Sequence, residues 1–166
     1  MNNPDDATRC GGAPRAPDQL EAALRDVDGQ CAAEGLRLTP GRRKVLALLL
    51  REGRALGAYD ILDRLHREDG TSVKPPIIYR ALDFLTEHGF AHRIERMNAF
   101  VACLHPGENH APAFMICRTC RSVSEAHFNL IKGALGDAAR ASGFQIERTT
   151  VEAEGICPAC ADATPA

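Results

Sequence analysis

One stretch of the sequence decides the fold: residues 74–95, which read KPPIIYRALDFLTEHGFAHRIE. Pro75 and Pro76 favour a helix that starts here and runs to His88, because the fixed φ of proline suits the first helical positions. Gly89 is expected to end it in a left-handed conformation. Four apolar residues recur at helical spacing and are expected to face a core: Ile78, Ala81, Leu82 and Leu85. The polar residues of this helix are then expected to face outward: Tyr79, Arg80, Asp83 and Glu87.

Three further helices are predicted before this one. The first has Asp18 as its N-cap and ends at Gly35. The second opens with Thr39 as N-cap and Pro40 at the first helical position, which is a strong start signal. The third runs from Ala58 to Glu68. Such a series of short helices is typical of a helix-turn-helix unit.

A β-hairpin is expected directly after these helices. Its strands would be Ala91 to Glu95 and Ala99 to Cys103, with Met97 and Asn98 at the turn. Helices followed by a hairpin predict a winged helix. We therefore expect residues 1–17 to form a disordered tail and residues 18–103 a winged-helix DNA-binding domain.

The pattern changes after Cys103 and predicts a second, α+β lobe. Short strands are expected at residues 113–117 and 122–126, a helix at 129–141 ended by Gly143, and a strand at 145–153. Residues 104–112, with two Pro, one Gly and two His, are expected to form a hinge. Residues 113–161 would then form a second domain.

Charge and hydropathy narrow the function classes. The formal net charge is -2, yet residues 36–96 carry twelve Lys and Arg against eight acidic residues. A basic segment inside an acidic chain is compatible with an anionic partner and also with an ordinary solvated surface. No apolar run approaches the length of a membrane span, and the N-terminus lacks a signal-peptide pattern. We expect a cytoplasmic protein with no membrane partner.

The cysteines form two CxxC pairs: Cys117 with Cys120, and Cys157 with Cys160. Four thiolates in two such pairs suit the tetrahedral preference of zinc, and they leave no open position for catalysis. The alternative is a redox-active thiol pair, but that motif has one CxxC at the start of a helix in a βαβ unit. Cys10 is expected in the tail and Cys31 in the apolar core.

Several segments together resemble the ferric uptake regulator superfamily, and within it the zinc uptake regulator branch. They cover about Gln30 to Cys160 and read LTPGRRKVLALLL, AYDILDRL, the stretch 74–95, FMICRTC and ICPAC. The chain departs from iron-type members at residues 113–116, where Ala-Phe-Met-Ile replaces a His-rich stretch. It also has Ile77 where the family commonly has Thr, so a phosphate or capping contact through that hydroxyl is not expected here.

The resemblance implies a second, regulatory zinc site formed by four residues: His92, Cys103, His110 and Glu125. Two imidazoles, a thiolate and a carboxylate suit zinc, and the soft thiolate favours it over manganese or iron(II). His127 lies two residues beyond Glu125 on the same face of the strand and is the alternative fourth ligand. Because His92 belongs to the winged helix and Glu125 to the second lobe, zinc would fix the angle between the lobes.

Tyr79 and Arg80, early in the predicted recognition helix, are the expected contacts to base edges or phosphates. The structural alternative is that Tyr79 flanks the core and Arg80 pairs with Asp83 or Glu87. The first turn of the second helix contributes three cations, which the helix dipole disfavours unless phosphates neutralise them: Arg42, Arg43 and Lys44. The resemblance adds Tyr59.

The resemblance implies that residues 113–161 form a dimerisation and zinc-binding domain, and that the protein is a homodimer that binds double-stranded, palindromic operator DNA when zinc-loaded and represses zinc-uptake genes. Two zinc ions per chain are expected, one structural and one regulatory, with no small-molecule substrate and no enzymatic activity. The competing hypotheses are a zinc-dependent hydrolase with Glu125 as general base, and a regulator of the same family that senses another divalent metal.

Overall fold

The computed structural model describes residues 16–70, 74–107, 111–128, 133–147 and 149–162. Twelve helices and strands are present, with a 3-10 turn at Glu95–Met97 between β2 and β3. In chain order they are α1 (Pro17–Ala33), α2 (Pro40–Glu52), β1 (Leu56–Gly57), α3 (Ala58–Asp69), α4 (Pro75–Glu87), β2 (Ala91–Ile94), β3 (Ala99–Ala102), β4 (Ala111–Cys117), β5 (Val123–Phe128), α5 (Ala134–Ser142), β6 (Val151–Gly155) and α6 (Pro158–Asp162).

The helix signals of the N-terminal lobe, residues 17–103, are confirmed at α2 and α4. Thr39 caps α2, where its hydroxyl accepts a bond from the Arg42 N–H at 3.5 Å. Pro75 begins α4, and Gly89 follows it with φ +72°. The prediction for α1 was wrong by two residues, because Pro17 occupies the first helical position and Ala16 is the N-cap. Pro17 therefore belongs to α1, and residues 1–15 of the predicted tail lie outside the described residues.

One face of α4 builds the core of the N-terminal lobe, as the apolar spacing predicts. Its buried residues are Ile78, Ala81, Leu82, Phe84 and Leu85. They pack with buried leucines of α2 and with α1, where the thiol of Cys31 is 1% exposed and confirms its assignment to the core. Tyr79, Arg80, Asp83 and Glu87 are exposed, as expected.

A small antiparallel sheet in the order β1-β3-β2 forms the wing. The predicted hairpin is present, with each strand one residue shorter than expected. The chain turns through the 3-10 turn and Asn98, whose φ of +46° is left-handed and favours Asn over most side chains. The strand β1, which pairs Leu56 with Phe100, was not predicted because two residues carry no periodic pattern.

The C-terminal lobe, residues 111–162, contains a sheet in the order β5-β4-β6, with β5 antiparallel and β6 parallel to β4. The predicted strand 145–153 was misplaced: β6 spans Val151–Gly155 and first pairs at Ala113 with Val151. Pairing stops there because Pro112 has no N–H to donate. The helix α5 ends at Gly143 as predicted, while residues 129–132 of the expected helix lie outside the described residues.

The two lobes share a second apolar core. Phe114, Ile116 and Val123 of the C-terminal sheet pack against a set of N-terminal residues: Ala55, Ile94, Ala99 and Val101. An isolated antiparallel bridge between Arg54 and Ser122 joins the lobes at one end of this contact. The wing therefore lies against the C-terminal sheet, and the two lobes are in contact.

No helix in the described ranges combines the length and the apolar character that a membrane crossing requires.

Candidate metal centres and nucleic-acid interface

The four cysteines of the two CxxC pairs meet at one end of the C-terminal sheet. Cys117 is the last residue of β4, and Cys120 lies in the tight turn that follows. Cys157 immediately precedes α6, and Cys160 lies within that helix. The parallel pairing of Cys117 with Gly155 places the end of β6 beside the first pair. All four sulfurs consequently lie within 4.8 Å of one another.

The spacing of these sulfurs fits a tetrahedral zinc ion. A zinc–sulfur distance of about 2.3 Å corresponds to about 3.8 Å between sulfurs in a tetrahedral site. The Sγ atoms of Cys120 and Cys157 are 3.7 Å apart, and all four thiols are free of disulfides. Cys117, Cys120, Cys157 and Cys160 therefore satisfy the geometric requirement for the predicted structural site.

Hydrogen bonds and thiol contacts shift the pKa values of two cysteines in this cluster in opposite directions. The pKa of Cys117 is lowered to about 6, first because the backbone N–H of Cys120 donates to its sulfur and then because that of Cys157 does so. The pKa of Cys160 is raised to about 12, because contacts with the thiols of Cys157 and Cys120 favour its protonated form. Neighbouring thiolates repel one another, and a divalent cation removes that repulsion.

A second group of metal-binding atoms lies between the lobes. It contains His92 on β2, Cys103 just after β3, and Glu125 on β5, with their ligand atoms within 4.8 Å of one another. His92 Nε2 is 3.6 Å from Glu125 Oε1. The other carboxylate oxygen of Glu125 accepts a bond from the Leu104 N–H at 3.2 Å. An imidazole, a thiolate and a carboxylate form a donor set that zinc accepts.

Local structure explains why these three side chains meet. The N–H of Cys103 donates to the carbonyl of Phe90 at 3.0 Å, which extends the hairpin and places Cys103 on the same side as His92. The ring of His92 packs on Phe114, with ring centroids 5.3 Å apart. Phe114 is the direct register partner of Glu125, so it brings β5 to the base of the wing.

Three of the four residues predicted for the regulatory site thus lie together. His110, the remaining predicted ligand, falls in residues 108–110, outside the described residues. Glu125 and His127 were the two alternatives for the ligand contributed by β5. Glu125 belongs to the group, while the side chain of His127 is not described. His105 is half-buried and is not a member of the group.

The predicted DNA-contacting tyrosines line one groove. Tyr59 at the start of α3 is 69% exposed and Tyr79 on α4 is 43% exposed. They share a groove of about 370 Å³ that is also lined by Arg93 and Asn98 of the wing. Arg80 is exposed, and it forms no ion pair with Asp83 or Glu87 among the residues that the structure describes. The structural alternative for Arg80 therefore has no support.

The cations at the start of α2 are placed differently. Arg42 lies over the Phe84 ring at 3.6 Å from the centroid and donates to the Arg37 carbonyl at 2.6 Å. Arg43 pairs with Glu21 on α1 at 2.9 Å. Both cations therefore have partners within the lobe, which offset the unfavourable helix dipole. Contacts of Arg42, Arg43 and the exposed Lys44 with phosphates stay predictions.

Comparisons with known proteins agree with this architecture. The chain matches the model of the Ferric uptake regulator family over residues 33–154. The zinc uptake regulation protein of Escherichia coli (strain K12) is 41% identical to it over 140 residues, which are 84% of this chain and 81% of that protein.

Two relatives of known structure have a similar fold. A zinc uptake regulator complexed with zinc and DNA superposes with a TM-score of 0.81 at 35% identity, covering 90% of this chain and 98% of that one. Holo XcZur superposes with a TM-score of 0.75 at 41% identity, covering 85% of this chain and 98% of that one. Apo XcZur is also 41% identical and covers 87% of this chain and 99% of that one, but its TM-score is only 0.50. As a whole, this chain therefore superposes better on the holo relative than on the apo one.

Proposed function

This chain belongs to the ferric uptake regulator family, and from that premise we propose that it is a zinc-responsive transcriptional repressor. In this proposal a zinc-loaded dimer binds palindromic operator DNA and represses zinc-uptake genes. The similarity to zinc uptake regulators, one of them complexed with zinc and DNA, supports the choice of metal and partner.

One observation carries the proposal: a single group of metal-binding atoms takes its members from both lobes. His92 and Cys103 belong to the N-terminal lobe, and Glu125 belongs to the C-terminal lobe. An ion held by all three favours the arrangement in which the lobes are in contact. If operator DNA requires the same arrangement, zinc strengthens DNA binding, and DNA strengthens zinc binding by the same factor.

In our proposal His110 joins His92, Cys103 and Glu125 to complete the regulatory site, and the four cysteines hold the structural zinc. The count would then be two zinc ions per chain. When bound, the regulatory ion supplies a positive charge that attracts the thiolate and the carboxylate from opposite lobes. The difference between the TM-scores to holo and apo XcZur is consistent with a lobe arrangement that changes with the metal.

The DNA contacts proposed are Tyr59, Tyr79 and Arg80, with Arg42, Arg43 and Lys44 on the flank. The two tyrosines line the same exposed groove, and Arg80 projects from the same helix as Tyr79. Arg and Tyr side chains on an early turn of a recognition helix are suited to base edges and phosphates.

The dimer contact would use the C-terminal lobe. Its surface carries four large apolar side chains that are about half or more exposed: Met115, Leu135, Phe144 and Ile156. Exposed apolar groups on one lobe are the usual basis of an interface. We accordingly propose the N-terminal lobe as the DNA-binding domain and the C-terminal lobe as the dimerisation domain, in a cytoplasmic protein without enzymatic activity. The predicted bounds of 18–103, 104–112 for the hinge and 113–161 shift slightly, because Pro17 begins α1 and Ala111 begins β4.

The proposal is tested by titrating operator binding against free zinc, iron(II) and manganese(II). Zinc content per chain is measured on the same preparation before and after mild chelation. We expect two zinc ions per chain, one of them removed by the chelator, with operator affinity falling as that ion leaves. Operator binding that does not change with zinc would contradict the proposal, and binding driven by iron(II) or manganese(II) instead would assign a different metal.

A further inference from the structure

Three residues form one cross-strand row on the C-terminal sheet. Phe114 on the central strand β4 pairs with Glu125 on β5 and with Glu152 on β6. Directly paired residues project from the same face of a sheet. The row Glu125–Phe114–Glu152 therefore presents a carboxylate, an aromatic ring and a second carboxylate to the wing.

Each member of this row contacts the wing at a different point. Glu125 lies beside His92 and accepts a bond from the Leu104 N–H, at the base of the hairpin. Phe114 packs on the His92 ring. At the tip of the hairpin, the carboxylate of Glu152 accepts bonds from the Glu95 N–H at 2.7 Å and from the Arg96 N–H at 3.2 Å. The contact of Glu152 involves none of the metal-binding residues.

We propose that Glu152 is a positioning residue for the switch: a second, metal-independent anchor that fixes the rotation of the N-terminal lobe. The proposal rests on the proposed function, in which contact between the lobes is the DNA-binding arrangement. Glu152 favours that arrangement before zinc arrives, so it raises the affinity of the regulatory site.

The geometry gives the reason. The metal-binding group joins the lobes at one end of this row, beside the shared apolar core, whose contacts are not directional. Neighbouring strands are about 4.8 Å apart, so the two ends of the row are separated by about 10 Å. Anchors at both ends oppose rotation in the plane of the sheet. Bonds from two N–H groups to one carboxylate are charge-assisted and stronger than neutral ones.

Glu154 provides a matched control for Glu152. It lies two residues further along β6, on the same face and with the same charge. Its partner is the side chain of Arg96, at 3.5 Å, and both groups are largely exposed. Exposed pairs of this kind contribute little. Substitution of Glu154 should therefore reproduce the change in charge and in strand sequence without removing the anchor.

The test compares wild type with Glu152→Ala, Glu152→Gln and Glu154→Ala. Zinc affinity of the second site is measured by competition with a chromophoric chelator without DNA, and operator affinity is measured across free zinc. For Glu152→Ala we expect zinc affinity to fall about fivefold to tenfold, and the free zinc needed for half-maximal operator binding to rise equally. Glu152→Gln should be intermediate, because its amide oxygen still accepts one bond, and Glu154→Ala should stay within about twofold of wild type.

Two outcomes would overturn the proposal. The first is that Glu152→Ala behaves as Glu154→Ala does in both assays. The second is that Glu152→Ala loses the zinc of the four cysteines or the dimer, which would make Glu152 a structural residue. If operator binding by the wild-type protein did not change with zinc, the proposed function would be contradicted instead. The chelator competition would still test whether Glu152 raises the zinc affinity of the second site.

Discussion

Glu125 and His92 belong to different lobes, and their Oε1 and Nε2 atoms lie 3.6 Å apart. That separation is too long for a good hydrogen bond. It is close to the distance of about 3.3 Å expected between a nitrogen and an oxygen ligand of a tetrahedral zinc ion. The shared apolar core holds the two residues at this distance. Zinc would therefore need only a small adjustment of the side chains to bind them.

The structural site gives the first prediction. Cys117→Ser should release the zinc of the four-cysteine group and unfold the end of the C-terminal lobe, because metal affinity contributes directly to the folding of small metal-held units. Dimers should be lost with it. Zinc content and sedimentation provide the measurement, with Cys31→Ala as the control, since Cys31 is buried outside both metal-binding groups. A stable, zinc-free dimer of Cys117→Ser would contradict the assignment.

Arg80→Ala should weaken operator binding without changing zinc content. If the lost contact is to a guanine edge, about 1 to 3 kcal/mol of binding free energy should be lost and the preference at one base should relax. If the contact is to a phosphate, binding should weaken uniformly across sequences. The control is Arg140→Ala on α5, which removes the same charge from the other lobe. Equal operator affinities of the two variants would remove Arg80 from the interface.

Local sequence signals were sufficient to predict the helices of the N-terminal lobe. Thr39-Pro40, Pro75-Pro76 and Gly89 act within a turn or two of chain, so their effect can be read from the sequence. The apolar stripe of α4 is also a local pattern. The four cysteines were grouped correctly because CxxC spacing constrains the metal geometry directly.

Long-range pairing was the part that the sequence did not show. The row Glu125–Phe114–Glu152 depends on the pairing of β4 with β6, which follows β5 and α5 in the chain, and no local pattern encodes that register. Phe114 was noticed only as a departure from iron-type members, although it fills the contact between the lobes. The hinge expected at residues 104–112 likewise gave no indication of the shared core.

Phe114 provides a prediction about that shared core. Phe114→Ala should lower the free energy of unfolding by about 3 to 5 kcal/mol, because the side chain is fully buried and leaves a cavity. It should also weaken the second zinc site, since the ring that packs on His92 is lost. Thermal unfolding and chelator competition measure the two effects.

Ile116→Val, in the same apolar cluster, is the control for Phe114→Ala. It should lower the free energy of unfolding by about 0.5 to 1.5 kcal/mol and leave the zinc affinity of the second site unchanged. Zinc affinity in Phe114→Ala equal to that of Ile116→Val would show that the ring does not support the metal site.

The last prediction separates a sensor from a protein that merely contains zinc. Cys103→Ser replaces a thiolate with a hydroxyl, a far poorer zinc ligand at neutral pH, and leaves the four-cysteine group intact. The variant should keep one zinc per chain, remain dimeric and lose the second ion. Without that ion the lobes are held together by the apolar core, the Arg54–Ser122 bridge, Glu152 and the exposed Arg96–Glu154 pair. The operator must then select this arrangement from a broader ensemble, at a cost in apparent affinity. Operator binding by Cys103→Ser should be weak and should not respond to added zinc, whereas Cys31→Ala should respond as wild type does. Zinc content, dimer mass and operator affinity across a zinc titration are measured on one preparation. A Cys103→Ser protein that still bound its operator in a zinc-dependent manner would exclude Cys103 as a sensing ligand.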